Sequence, residues 1–137
     1  MSPSGEVRLF QIVVVVASVV PIAAGISGVL HGPAMIHAFH TVNADLDSHF
    51  SYLSGLLLGI GVAFLFCIAA VRDRATSFRL LGLIVVTGGI ARLIAASRLG
   101  WPSSGHQFAY FMELVVVPAL LVWHRRIVRL ARSQDSA

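Results

Sequence analysis

Gly89–Leu114 reads GIARLIAASRLGWPSSGHQFAYFMEL, and the two charges set in its flanking apolar runs decide how the chain is built. Arg92 lies in the run that ends here and Glu113 in the run that begins here. With the turn at Trp101-Pro102, Arg92 falls about 8 Å and Glu113 about 9 Å below the membrane edge on adjacent antiparallel helices. A charge in hydrocarbon costs at least ~2.5–3.5 kcal/mol, so residues of this kind face protein, pair, and mark function. The stretch therefore predicts a site shared by two membrane helices.

The rest of the chain agrees with a membrane setting. Its 137 residues are 57% hydrophobic and 12% charged, with a mean hydropathy of +0.86. Four runs are long enough to cross a ~30 Å hydrocarbon core: Leu9–Leu30, Phe50–Val71, Phe78–Ala96 and Gln107–Ile127. The expected fold is an all-α integral membrane four-helix bundle, one domain over 1–137, with a short interfacial helix in the first outer loop. That helix is placed at Ala34–His40, after the break at His31-Gly-Pro33. The first run is too long for a signal-peptide core and is read as a retained span.

All ten cations are arginine. Arg8, Arg72, Arg74, Arg79, Arg125, Arg126, Arg129 and Arg132 fall on one side of a four-span arrangement, Arg98 falls on the other, and Arg92 lies inside. The positive-inside rule then puts both termini and the loop Arg72–Ser77 in the cytoplasm. The high pI follows from this topology, with anionic lipid at Arg125–Arg132 as a further reading beside a plain stop-transfer flank. No nucleic-acid module, Walker loop, nucleotide fingerprint or GxSxG is present. Cys67 stands alone, so neither an internal disulfide nor a redox pair is available.

Smaller signals place the remaining candidates. Asp47-Ser-His-Phe opens the second run, where Asp47 reads as an N-cap and alternatively as part of a site. His49 points about 160° from Asp47 if both are helical, so the two do not share a site in a regular helix. Ser51, Gly55, Gly59 and Ala63 recur every four residues, a register that admits a close partner helix and a homo-oligomer through Gly55 and Gly59. On the third run Val85, Gly88, Arg92 and Ala96 share a face, giving Arg92 glycine-sized room. Ser104-Gly-His-Gln107 reads as a capping box, and His106, Tyr110 and Glu113 share a face of the fourth run. Pro118 is expected to kink that helix, and Trp123 and His124 to mark its far interface.

Arg92 and Glu113 admit two readings. One is a structural ion pair that fixes helix register. The other is a polar pocket opening outward, supplemented by Asp47, His49, Ser51, His106 and Tyr110. There Arg92 would suit an anionic group and Glu113 would serve as a general acid or base. His37-x-x-His40 can set two imidazoles on one face, but no third ligand has a place, so no metal is expected. No cofactor can be named.

The strings Leu46-Asp-Ser-His-Phe50, Tyr52-Leu-Ser-Gly-Leu-Leu-Leu-Gly-Ile-Gly61, Phe78–Leu93 and Gly100-Trp-Pro102 together resemble a family of small uncharacterised bacterial membrane proteins of the DoxX-like superfamily. The resemblance spans about Gly28 to Arg126. It implies a four-helix bundle in the bacterial cytoplasmic membrane and no established activity. Relatives in the wider superfamily include accessory proteins of redox and receptor complexes, but this chain lacks the cysteines of a thiol-handling role. The expectation is a protein that binds a small or lipid-like ligand or a partner membrane protein. The alternative is a membrane enzyme doing acid–base chemistry (an isomerase, cyclase or hydrolase) on a lipophilic substrate.

Overall fold

A computed structural model describes residues 3–35 and 43–135. Among them the chain is all-α: α1 (Pro3–His31), a 3-10 turn (Gly32–Met35), α2 (Ala44–Ile68), α3 (Ala75–Leu99), α4 (Ser104–Phe111), one π-helical turn (Met112–Val116) and α5 (Val117–Asp135). α4, the π turn and α5 run on without a break, so four helical stretches are long and apolar enough to cross a membrane. Each begins before the apolar run that announced it, because polar flanks continue the backbone hydrogen bonding once a helix is nucleated, whereas α2 ends at Ile68, short of the expected Val71. The interfacial helix expected at Ala34–His40 falls largely outside the described residues.

Two compact units divide the chain. The first takes residues 1–14 and 67–137, hence the start of α1 with α3, α4, the π turn and α5. The contact of α3 with the π turn and α5 follows a seven-residue rhythm. Gly82 lies against Leu121, and Gly89 against Leu114 and the Cβ of Glu113. Seven residues are two turns, so these glycines lie on one stripe with Phe78, and the stripe continues to Arg92. The glycine that gives Arg92 room is therefore Gly89; a Cβ on Gly88, the residue expected to do so, would meet nothing within 4 Å.

At the arginine-rich end this unit closes on an aromatic cluster. The Phe10 ring is fully buried and lies 5.5 Å from Phe78 and 5.4 Å from Trp123. His124 stacks on Phe78 at 4.6 Å, and its Nε2–H donates to the Val71 carbonyl at 3.0 Å. Gln11 donates to the Ile68 carbonyl at 2.8 Å, satisfying one of the last acceptors of α2. Trp123 donates to Glu6 at 3.1 Å. Trp123 and His124, the pair expected to mark the inner interface, thus also bond within this cluster. His124 is 1% exposed, and both side chains serve the core because their partners sit on distant helices.

The second unit, 15–66, holds the rest of α1 and α2 up to Phe66. Here the small residues of α1 make the close approach. Gly28 faces Ser54, and a Cβ on Gly25 would lie 2.7–2.8 Å from Leu58 Cβ and its backbone N and Cα. Gly55 and Gly59 meet nothing within 4 Å and take no part in this packing. Gly25→Ala should therefore force the helices apart and cost about 1–3 kcal/mol. Gly55→Ala should be neutral or stabilise by up to about 1 kcal/mol through helix propensity. Equilibrium unfolding in detergent measures both; equal effects would contradict this packing.

Two helix starts differ from the expected caps. α2 begins at Ala44, and its cap is Asn43, whose Oδ1 accepts from the Leu46 N–H at 2.8 Å. The pattern at Asp47 resembled a cap because acidic residues also favour the first turn. α4 begins after Ser103, which makes no side-chain cap bond. Gln107 instead donates to the Pro102 carbonyl at 2.9 Å, so the capping box at Ser104 does not form.

Candidate functional site

The backbone brings Arg92 and Glu113 together by a directional rule. Every Cα–Cβ bond tilts toward the start of its helix, so on antiparallel helices Arg92 and Glu113 lean toward each other along the axis. Arg92 Nε lies 3.4 Å from Glu113 Oε1, and the side chains are 40% and 14% exposed. The contact is through Nε, not through the two-pronged fork that makes the strongest guanidinium–carboxylate pairs. The other carboxylate oxygen, Oε2, is buried and accepts no hydrogen bond.

Glu113 stands in the π turn, and Pro118 explains why that turn exists. Proline has no N–H, and its ring collides with the carbonyl four residues back. The chain accommodates this by widening just before it: the Val117 N–H reaches the Met112 carbonyl, five residues back. Ahead of Pro118, where a kink was expected, the helix makes a π turn, a form that recurs at functional sites and at which helices also bend. In that register the partner for the Glu113 carbonyl would be the N–H of residue 118, which proline lacks. Backbone and side chain of Glu113 thus both offer acceptor capacity at one point.

Tyr110 joins from one turn earlier. Its hydroxyl donates to the Arg92 carbonyl at 3.0 Å, tying α4 to α3 beside the pair. Trp101 meets Tyr110 edge-on at 6.0 Å. His106 is engaged locally, with Nδ1 3.1 Å from Ser103 Oγ. Of the four candidates on these helices, the structure joins Arg92, Glu113 and Tyr110 and leaves His106 at the helix start.

The other candidates belong to the second unit. Asp47 lies against Gly32, whose φ of +56° is the left-handed region that glycine tolerates. His49 is exposed and Ser51 half-buried on α2. His37 and His40 lie outside the described residues. Among the described residues no three His, Cys, Asp or Glu side chains come together as a metal site would require.

Sequence reasoning passed over Glu6 and Gln11. Glu6 accepts from Trp123 and pairs with Arg126 at 3.6 Å. Gln11, a lone amide in an apolar run, was the available signal, since an amide in hydrocarbon needs a partner.

An ion pair within apolar helices, one carboxylate oxygen unspent and a tyrosine bracing the pair, defines a class: a small four-helix membrane protein with an internal polar site. The chain belongs to the family described as a domain of unknown function (DUF4345), whose model matches residues 9–124. No curated protein and no solved structure matches the chain.

Proposed function

We propose that the protein is a ligand-binding or accessory component of the bacterial cytoplasmic membrane, with both termini inside. The Arg92–Glu113 pair would take the polar head of a small lipid-like molecule in the outer half of the bilayer. The likeness to DoxX-like proteins supports the setting, and the arginine bias supports the orientation. The observation that carries the site is the unpartnered Oε2 of Glu113 beside a half-exposed guanidinium. A buried acceptor without a donor costs about 1–3 kcal/mol, which a ligand donor would recover.

The charges narrow the head group. A carboxylate or phosphate would meet Glu113 at once, and an ammonium would meet Arg92. A neutral hydroxyl fits both, donating to Oε2 and accepting from the guanidinium. The same free oxygen also favours the acid–base reading on a lipophilic substrate, since it is where a substrate proton would go.

The test uses purified protein in nanodiscs with a C15 isoprenoid alcohol and the acid and amine of the same chain. Saturable binding of the alcohol is expected, weakened ~10-fold by Glu113→Gln, which replaces a charged acceptor with a neutral one. Turnover of the alcohol lost in that variant would favour the enzyme. Absence of saturable binding, or binding indifferent to Glu113→Gln in a folded protein, would end the site reading.

A further inference from the structure

The first unit also holds the arginine-rich end, and nothing at Arg92–Glu113 uses it. Arg8, Arg72, Arg74, Arg79, Arg125, Arg126, Arg129 and Arg132 stand there against the carboxylates Glu6, Asp73 and Asp135. α5 does not stop where its apolar run ends at Ile127; it continues to Asp135. Along α5 Leu120, His124, Ile127, Val128 and Ala131 are all buried. Their spacing of four, three, one and three residues is one helical stripe.

A helix pinned along one stripe presents its other face in a fixed direction. Arg125, Arg129 and Arg132 are exposed on that face, at spacings of four and three residues. Arg126, by contrast, is drawn toward Glu6. At 1.5 Å per residue, Arg125 stands about 3 Å before and Arg129 about 3 Å beyond Ile127 along the axis. The headgroup layer outside the hydrocarbon is roughly 5–8 Å thick on each side. The long arginine stems can carry both guanidinium groups outward into that layer, where lipid phosphates lie.

We propose that the Arg125–Arg129 face of α5 is a binding surface for the headgroups of anionic phospholipids. Charge complementarity supports it: eight arginines against three carboxylates at this end. The cation type supports it too, because the planar fork of arginine matches phosphate oxygens in a way that lysine does not, and the chain contains no lysine. The buried stripe removes most of the freedom the helix would otherwise lose on binding.

The test reconstitutes the full chain in nanodiscs of phosphatidylcholine containing a minority of phosphatidylglycerol. Native mass spectrometry then counts each lipid retained on the protein. Wild type should retain phosphatidylglycerol in several-fold excess over its share of the bilayer. Arg125→Gln/Arg129→Gln should bring that excess close to parity, since each arginine near an anionic surface contributes ~5-fold, corresponding to about 1 kcal/mol. Arg98→Gln, at the other end of α3, should leave the excess unchanged, and thermal unfolding should show all variants folded. No preference in wild type would overturn the proposal and leave the arginines as a stop-transfer flank. An excess that survives the double substitution, or that Arg98→Gln lowers equally, would overturn it as well.

Discussion

Arg92→Leu is expected to destabilise the folded protein by about 3–5 kcal/mol, the range for stripping a buried charge of its partner. What remains is Glu113, 14% exposed, with its second oxygen already unpartnered. Glu113→Leu should cost less, about 1–2 kcal/mol, because Arg92 is 40% exposed and its long stem can carry the guanidinium to a wetter level. The asymmetry is the signature of this geometry. The double substitution should cost less than the sum of the singles, with a coupling of at least ~1 kcal/mol for residues in contact. Equilibrium unfolding of all four proteins in detergent decides it. Additive costs would mean that the two side chains do not touch, and equal single costs that their burial does not differ.

His124→Ala is expected to have an effect of similar size, about 3–5 kcal/mol, for two reasons that can be separated. The substitution removes a ring stacked on Phe78 at 4.6 Å and leaves a cavity. It also strips the Val71 carbonyl of its donor, in the turn between α2 and α3. His124→Phe restores the ring without the N–H and should recover all but about 1–3 kcal/mol, the cost of the unpaired carbonyl. Unfolding in detergent again provides the readout. Should His124→Ala cost less than ~1 kcal/mol, the aromatic cluster does not organise this end.

Much of this was legible in the chain for a simple reason. In hydrocarbon every backbone group must be satisfied within its own helix, so apolar run length alone specifies the spans. The same severity exposed the site: Arg92 and Glu113 stood out because a charge inside an apolar run is costly enough to need an explanation. What stayed hidden depended on groups far apart in sequence. Trp123 and His124 were legible as markers of this end beside Arg125 and Arg126, but not their ties to Glu6, Phe10 and Phe78 on other helices. Gly88 and Gly89 are neighbours, and which one faces α4 and the π turn depends on the phase of packing, not on the glycine itself. Asn43 was passed over as a cap because the stronger apolar pattern began several residues later. Pro118 announced a disturbance in the backbone ladder, but not that it would take the form of a π turn.

The widened turn at Met112–Val116 makes this helix one with two clocks. Residues before it and residues after it each keep 3.6-residue time, but the extra residue sets the second clock about 100° late. His106, Tyr110 and Glu113 are read on the first; Leu120, His124 and Ile127 on the second. Deleting one residue within 112–116 would remove the extra residue, yet it would leave the proline without an N–H, swing His124 out from beneath Phe78 and carry the outward arginines round with it. Length and phase are thus locked together in this span. Losing a residue here would require re-matching everything that follows, so the π turn at Glu113 and the far aromatic cluster are coupled by helix phase.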